Sequence, residues 1–291
     1  MRPLGDCNPI VLLVHVTAVT AVAMFSMNPV LLGLAWLGSL LWYLRQEENG
    51  LRFHLFSVSM IIMSILVNPI ISHNGMTVLF VINDLPVTLE SIAYGAGAGV
   101  MLSCVLYWFA SFSRLMTSDK LLYLFGSLSP KLALIMSMAI RYVPLFAQQT
   151  HRVAQAQKAM GLAKEDTIPD RIKGGGRILS VMVTWALENG IITADSMTAR
   201  GYGIGRRTFF SLYRFRKSDA VQLLLALALV GVTAAGIATD IVYTAYYPAL
   251  GKIPLEPKAL VCYGTYALLS FLPVMLEIKE EWMWRSLQSK V

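Results

Sequence analysis

Long apolar runs separated by short polar segments dominate this chain of 291 residues. A helix needs about 20 residues to cross the hydrocarbon core of a bilayer. Six apolar stretches approach or reach that length, and they lie near residues 10–26, 29–44, 55–72, 89–112, 221–243 and 259–276. The pattern therefore predicts an all-α polytopic membrane protein with about six transmembrane helices.

The first two stretches are short, and Asn28-Pro29 separates them. Because proline breaks or kinks a helix, the two stretches form either a tight hairpin or one long kinked helix. The first stretch lacks a small-x-small cleavage site that leads into a soluble chain, so we expect a retained helix and not a cleaved signal peptide.

Residues 77–89 lie between the third and fourth stretches and are rich in β-branched and apolar residues on both sides of Asn83-Asp84. This pattern is typical of a small β-hairpin. A re-entrant lid over the helices and an extended loop are the alternatives.

Residues 113–219 predict two long helices. Ser129-Pro130 is a helix-start signal, and the first helix should run from about 130 to 160 with a bend between Ile140 and Pro144. Gly174-Gly175-Gly176 then predicts a break, followed by a second helix from Arg177 to about Arg200 that ends at Gly201.

The second of these helices is apolar around most of its circumference, which requires packing on protein or lipid. Arg177, Glu188 and Asp195 would be costly inside a bilayer. We therefore expect packing against another long helix or a partner protein, with a seventh span as the alternative.

Composition and charge sharpen this picture. Hydrophobic residues make up 56% of the chain and charged residues only 14%, as expected for a membrane protein. Sixteen of the 24 Lys and Arg residues lie between Arg114 and Lys217. The positive-inside rule then places both termini and this region in the cytoplasm. Three domains follow: transmembrane residues 1–112, a cytoplasmic domain of long bent helices at 113–219, and transmembrane residues 220–291 with the tail.

Several chemistries are not supported by the sequence. Three cysteines without CxxC spacing and four dispersed histidines predict no disulfide framework, metal site or cofactor. No GxxxxGK[ST] phosphate loop occurs, so ATP hydrolysis would have to come from a partner. The basic residues lie on apolar helices, and positive-inside topology explains them without nucleic acid.

Residues 184–188, TWALE, and 194–202, ADSMTARGY, carry a specific motif. They closely resemble the signature of the T component of energy-coupling-factor (ECF) transporters, the transmembrane scaffold of a class of ABC importers. The likeness covers roughly residues 90–220, and further matching segments are 117–120, 123–126, 137–144, 154–157 and 205–208.

The resemblance implies that two long cytoplasmic helices each end in an Ala-Arg-Gly-like motif that docks into an ABC-type ATPase subunit. Ala199-Arg200-Gly201 matches the second motif fully. The first motif falls at Ala159-Met160-Gly161, where Met160 replaces the usual arginine. Either Lys158 supplies the charge there, or the contact is apolar and the two ATPases are held unequally.

Elementary electrostatics supports a docking role for Arg200. A cation at a helix C-terminus meets the negative end of the helix dipole, and the rigid guanidinium fork binds carboxylates or carbonyls bidentately. The alternative is that Arg200 only stabilises its own helix end, by about 0.3–1 kcal/mol.

Glu188 and Asp195 lie seven residues apart on one helix face. They are predicted to lock the two long helices together by pairing with Arg141, or with Arg152 or Arg177. An acid–base pair is the alternative, but no nucleophile or metal cluster accompanies them.

The resemblance implies a non-catalytic scaffold in a prokaryotic cell membrane. It would couple two ABC-type ATPases to a substrate-binding membrane subunit, the S subunit, for uptake of vitamins or metal ions. Apolar helix faces would cradle the S subunit, or else form a plain helix-to-helix core; the candidate residues are Met136, Met138, Met182, Trp185 and Met197.

Two other functions would require polar or catalytic groups inside the spans. A self-contained secondary transporter or channel needs polar groups at mid-membrane, and the spans offer little beyond Asn68, Glu90 and Asp240. An intramembrane enzyme needs a catalytic constellation within the spans, and none is visible. The sequence leaves the substrate open, and it mildly favours two different ATPase chains over a homodimer because the two motifs differ.

Overall fold

The structure is a computed structural model that describes residues 4–46, 50–72, 74–82, 85–162, 168–205 and 213–288. The chain divides into two compact units. Unit 1 consists of Met1–Thr117 and Tyr213–Val291, and unit 2 of Ser118–Leu212.

The described residues form nine α-helices and one small sheet. After a short 3-10 helix at Leu4–Asp6, the elements in chain order are α1 (Pro9–Phe25), α2 (Pro29–Gln46), α3 (Leu51–Ile71), β1 (Val78–Ile82), β2 (Leu85–Thr88), α4 (Leu89–Leu115), α5 (Ser118–Leu128), α6 (Pro130–Ala159), α7 (Ile168–Ala199), α8 (Lys217–Ala238) and α9 (Pro257–Gln288). The predicted all-α polytopic class is confirmed.

Five helices are long and apolar enough to cross a membrane: α3, α4, α6, α8 and α9. Helix α1 is apolar but has only 17 residues. The candidate with the lowest mean hydropathy, 1.3, is α6, which the sequence analysis placed in the cytoplasm. Length and composition alone qualify α6 as a candidate, so its position relative to the bilayer stays a prediction.

Asn28 separates α1 from α2. Its Oδ1 accepts a hydrogen bond from the Val30 backbone N–H at 2.9 Å, which caps α2. Its Nδ2 donates to the Val242 carbonyl at 2.8 Å and to the Tyr263 hydroxyl at 2.9 Å. Residues 26–28 are not helical, so α1 and α2 are two separate helices and not one long kinked helix. The buried Asn28 side chain ties their connection to the segment at Val242 and to α9.

The core of unit 1 is built by α1, α2, α4, α8 and α9. Trp42 and Trp108 are fully buried, with ring centroids 5.0 Å apart. The Tyr266 hydroxyl donates to the Val19 carbonyl at 3.0 Å, so even the polar end of this ring is satisfied inside the core.

Helices α3 and α4 approach closely because glycines line their contact. A Cβ atom built on Gly95 would lie 2.8 Å from the Ser64 carbonyl oxygen, and one on Gly99 would lie 2.9 Å from the Ile61 Cα. The Ser64 hydroxyl donates to the Gly95 carbonyl at 2.8 Å. Small residues at such a contact let the two backbones come together, as is common between membrane helices.

The segment between α3 and α4 is a β-hairpin, the first of the three predicted alternatives. Strands β1 and β2 pair antiparallel, with Val78 opposite Thr88. The buried Glu90 accepts from the Thr77 hydroxyl at 2.5 Å and from its backbone N–H at 3.3 Å. Asn83 and Asp84 lie outside the described residues.

Unit 2 contains α5, α6 and α7. Helix α6 begins at Pro130 and ends at Ala159, as predicted, and Pro144 lies in its interior. The bend at Pro144 stays a prediction. Helix α5 was not predicted as a separate element.

The predicted break at Gly174-Gly175-Gly176 is wrong. Helix α7 begins at Ile168, and the three glycines lie inside it. Glycine costs a helix interior only about 1 kcal/mol relative to alanine, so it weakens the helix without ending it. Pro169 in the first turn supplies the start signal, because its missing N–H has no intrahelical partner there.

Candidate functional site at the ends of the two long helices

The end of α6 is a complete Schellman motif. Gly161 has a positive φ of 70°, a left-handed conformation that glycine adopts without strain. Its N–H donates to the Lys158 carbonyl at 3.0 Å, and the Leu162 N–H donates to the Gln157 carbonyl, also at 3.0 Å. These two bonds are the pair that defines the motif.

The end of α7 repeats this geometry. Gly201 has a φ of 82°. Its N–H donates to the Thr198 carbonyl at 2.9 Å, and the Tyr202 N–H donates to the Met197 carbonyl at 3.0 Å. Each helix therefore ends in the same backbone turn, with glycine at the left-handed position and Met160 or Arg200 immediately before it.

The side chains that precede the two glycines point to solvent. Met160 is 64% exposed, and Ala159, Ala199 and Arg200 are also exposed. Within the described part of the chain, the Arg200 guanidinium has no hydrogen-bond or ion-pair partner. It therefore does not cap α7 by a direct hydrogen bond, and its donors are available to a carboxylate or carbonyl of another molecule.

The first motif lacks an arginine but not a nearby cation. Lys158 is exposed and lies two residues before Met160. Both positions are near the negative end of the α6 dipole. The two alternatives for this end, a contact through Lys158 or an apolar contact through Met160, both fit its geometry.

The predicted ion-pair lock between α6 and α7 does not form in this structure. Glu188, Asp195 and Arg141 are exposed, and within the described ranges none of the three forms an ion pair, whereas Arg45 and Glu281 do. Exposed ion pairs stabilise a protein by only about 0–1 kcal/mol, which rarely outweighs the ordering of two long side chains.

A polar and an aromatic contact hold α6 and α7 together instead. The hydroxyls of Tyr142 and Thr193 lie 2.8 Å apart in a hydrogen bond. The rings of Phe146 and Trp185 meet edge to face with centroids 5.4 Å apart. Tyr142, Phe146 and Thr193 were not among the predicted contacts of these helices. The i, i+4 spacing of Tyr142 and Phe146 on one helix face is the sequence signal that could have indicated them.

The residues predicted to cradle a partner differ in exposure. Met182 is buried, which favours a helix-to-helix contact for that residue. The other four, Met136, Met138, Trp185 and Met197, are half-buried. Met138 and Met197 line an apolar cavity of about 340 Å³ together with Tyr142, Gly190, Thr193, Ala194, Thr198 and Tyr202.

A different set of residues presents apolar surface on α7. Leu179, Val183, Leu187 and Ile191 recur every four residues, and each is between 51% and 65% exposed. This spacing places them on one face of the helix. An exposed apolar stripe of this length is typical of a surface that meets another protein or lipid.

No group of three or more His, Cys, Asp or Glu side chains that could hold a metal ion occurs in the described ranges. Cys7, Cys104 and Cys262 are free and buried. The two helix ends present exposed side chains that can bind through charge and shape.

Comparison with known proteins identifies the family. Residues 2–209, most of the chain, match the family model CbiQ, described as cobalt transport protein. Two curated relatives are energy-coupling factor transporter transmembrane proteins EcfT. The protein from Listeria innocua serovar 6a is 34% identical over 104 residues, 35% of this chain and 39% of the relative. The protein from Lactobacillus helveticus is 31% identical over 104 residues, 35% of this chain and 38% of the relative.

The aligned part thus spans about two fifths of the length of these curated relatives. The family model extends the match over both helix ends described above. The chain therefore belongs to the CbiQ family of cobalt transport proteins, and its resemblance to the transmembrane T component of ECF transporters is confirmed.

Proposed function

We propose that this chain is the transmembrane scaffold of an ECF-type importer, and that it couples two ABC-type ATPase subunits to a substrate-binding S subunit. It performs no chemistry of its own. The observation that carries the proposal is the pair of helix ends that share one backbone turn, each with a left-handed glycine preceded by an exposed side chain. Two equivalent ends suit two ATPase subunits related by approximate symmetry.

Arg200 is the anchor at the second end. Its guanidinium lacks a partner within the described residues, so docking breaks no internal bond. Ala199 and Gly201 on either side are small, which lets a partner's backbone approach closely. The negative end of the α7 dipole stabilises the positive charge of Arg200 before the partner binds.

Lys158 and Met160 would serve the first end, where an apolar side chain replaces the arginine. The two ATPases would then be held by unequal contacts. This inequality favours two different ATPase chains over a homodimer.

The S subunit would dock on the apolar stripe of α7 formed by Leu179, Val183, Leu187 and Ile191. These side chains are exposed in the chain alone. Their burial against the S subunit would stabilise the complex by about 25 cal/mol for each Å² of apolar surface removed from water. The transported vitamin or metal ion would be chosen by that subunit.

The hydrogen bonds of two polar residues in the spans, Asn68 and Glu90, argue against a self-contained transporter. The Asn68 amide donates to the Ser91 carbonyl at 2.6 Å, and Glu90 accepts from Thr77. Both are engaged in bonds that tie α3, α4 and the hairpin together. They are better explained as structural groups than as a substrate pathway.

Charge reversal at Arg200 tests the proposal. We expect Arg200→Glu to lose most of its co-purification with the ATPase subunits, because reversal of a docked charge costs about 2–5 kcal/mol, a factor of at least thirty. Uptake in whole cells should fall with it.

Arg152→Glu is the matched control, since Arg152 is also exposed on a long helix of unit 2 but lies away from either helix end. It should assemble as the unaltered chain does. Normal assembly and uptake by Arg200→Glu would refute the docking role of this end.

A further inference from the structure

A cavity of about 510 Å³, lined mostly by charged residues, lies between the C-terminal end of α2 and the last turns of α9, within unit 1. Helices α2 and α9 run parallel here, since Trp42 bonds to Glu277 and, one turn later, Arg45 bonds to Glu281. Both helices therefore bring their ends to the same place. The lining consists of Arg45, Gln46, Glu277, Glu280, Glu281, Trp284 and Arg285.

Three of the charged groups that line the cavity already have partners. Arg45 and Glu281 form an ion pair at 2.7 Å. The indole N–H of Trp42 donates to a carboxylate oxygen of Glu277 at 2.8 Å. These contacts fix one wall of the cavity.

Glu280 and Arg285 differ from these three groups in their contacts. Neither forms a hydrogen bond or an ion pair with any residue in the described ranges, although both line the same cavity and carry opposite charges. The Trp284 ring lines the cavity with them. Among the described residues, Glu280 and Arg285 are thus an unpaired anion and an unpaired cation of the site, and the Trp284 ring adds an aromatic face that can attract a cation.

The surroundings indicate a lipid environment. Trp282 and Trp284 are 72% and 61% exposed at the end of a candidate membrane span, and tryptophan is enriched at membrane–water interfaces. Exposed apolar side chains also lie near the cavity in sequence: Leu41 and Leu44 on α2, and Met275 and Ile278 on α9. Acyl chains would lie against such surfaces while a headgroup occupied the cavity.

We propose that this cavity binds the headgroup of a zwitterionic aminophospholipid, with its ammonium group at Glu280 and Trp284 and its phosphate at Arg285. A primary ammonium can donate hydrogen bonds to the Glu280 carboxylate, and the guanidinium binds phosphate bidentately. A purely anionic headgroup fits less well, because three glutamates and two arginines line the cavity. This site is independent of the proposed docking of ATPases.

Native mass spectrometry of the purified full chain in detergent tests the proposal. Phosphatidylethanolamine, phosphatidylcholine and phosphatidylglycerol with identical acyl chains are titrated separately. We expect phosphatidylethanolamine to bind at least tenfold more tightly than the other two, since trimethylammonium has no N–H to donate and glycerol carries no charge. Equal binding of the three lipids, or tighter binding of phosphatidylglycerol, would overturn the assignment.

Variants localise the site. Glu280→Gln should remove the preference for phosphatidylethanolamine over phosphatidylcholine, and Arg285→Gln should weaken both at least tenfold. Lys279→Gln is the matched control, an exposed basic residue of α9 outside the cavity lining, and should leave all affinities unchanged. Unchanged affinities in both test variants would place the lipid elsewhere and refute the site.

A competition with soluble phosphoethanolamine separates the two sources of this headgroup. We expect no displacement of the lipid at equal concentration, because the acyl chains contribute to binding. Displacement at equal concentration would overturn the assignment to a lipid.

Discussion

Two glycines set the geometry of the candidate site at the level of single residues. Gly161 and Gly201 hold left-handed backbone conformations, and each turn directs the preceding side chain outward from the end of a helix. Any other L residue would pay roughly 1–2 kcal/mol for this conformation. The glycine of each motif is therefore a requirement of the turn, whereas the turn does not restrict the residue type at positions 160 and 200.

Gly201→Ala should destabilise the turn at the end of α7, because alanine does not favour the left-handed φ of 82° at this position. A steric clash would not contribute, since the nearest atom to the added Cβ, Ile204 Cδ1, lies at an ordinary contact distance of 3.6 Å. Hydrogen exchange of amides 197–202, followed by mass spectrometry, should accelerate by roughly 5–30-fold. Gly175→Ala is the control, as Gly175 lies inside α7 with nothing within 4 Å of its Cβ position, and should slow exchange locally. If amides 197–202 exchanged at the same rate in both variants, the turn would not require glycine at position 201.

At the scale of elements, glycine matters because it has no side chain and so lets two helices pack closely, and not because of its backbone conformation. Gly95 and Gly99 allow α3 and α4 to touch backbone to backbone, and the Ser64–Gly95 hydrogen bond joins them. Gly231 on α8 has nothing within 4 Å of its Cβ position. The same residue type is therefore structural in one helix and replaceable in another.

Gly99→Ala should destabilise the helix bundle by about 1–3 kcal/mol, because the new methyl group would lie 2.9 Å from the Ile61 Cα and cannot be accommodated without moving a backbone. The thermal unfolding midpoint in detergent should fall accordingly. Gly231→Ala should leave this midpoint unchanged or raise it. A Gly99→Ala protein as stable as Gly231→Ala would show that the close packing is not needed.

Element boundaries show how far sequence patterns reach. Ser129-Pro130 located the start of α6 because proline at the first helical position is a local signal, although the Ser129 side chain makes no capping hydrogen bond. The β-formers around Asn83-Asp84 located the hairpin because that signal is also local. The start of α7 was predicted wrongly because three consecutive glycines suggest a break, whereas the helix continues through them. The Tyr142–Thr193 bond was missed because it joins residues 51 positions apart, which no local pattern encodes.

For the whole molecule, charge distribution predicts topology. Most basic residues lie in 113–219, and the positive-inside rule places this region in the cytoplasm with both termini. The hairpin between α3 and α4 should then face the opposite side. The motifs at the helix ends were found from sequence because they are contiguous, whereas the α2–α9 cavity draws on residues more than 200 positions apart.

Cysteine labelling in oriented vesicles tests this topology, and the three native cysteines are buried and give little background. A membrane-impermeant maleimide should label Met160→Cys only from the cytoplasmic face. Leu79→Cys, on the exposed hairpin, should react only from the other face. Labelling of both positions from one face would contradict the predicted orientation.

Crosslinking from the two helix ends tests the coupling role most directly. Met160→Cys and Arg200→Cys, each carrying a cysteine-linked photo-crosslinker, are compared with Arg152→Cys in membranes that contain the ATPase subunits. We predict that positions 160 and 200 each trap an ATPase chain, a different one in each case, and that position 152 traps neither. Failure of both helix ends to trap an ATPase, with the chain folded and the ATPases present, would contradict the proposed function.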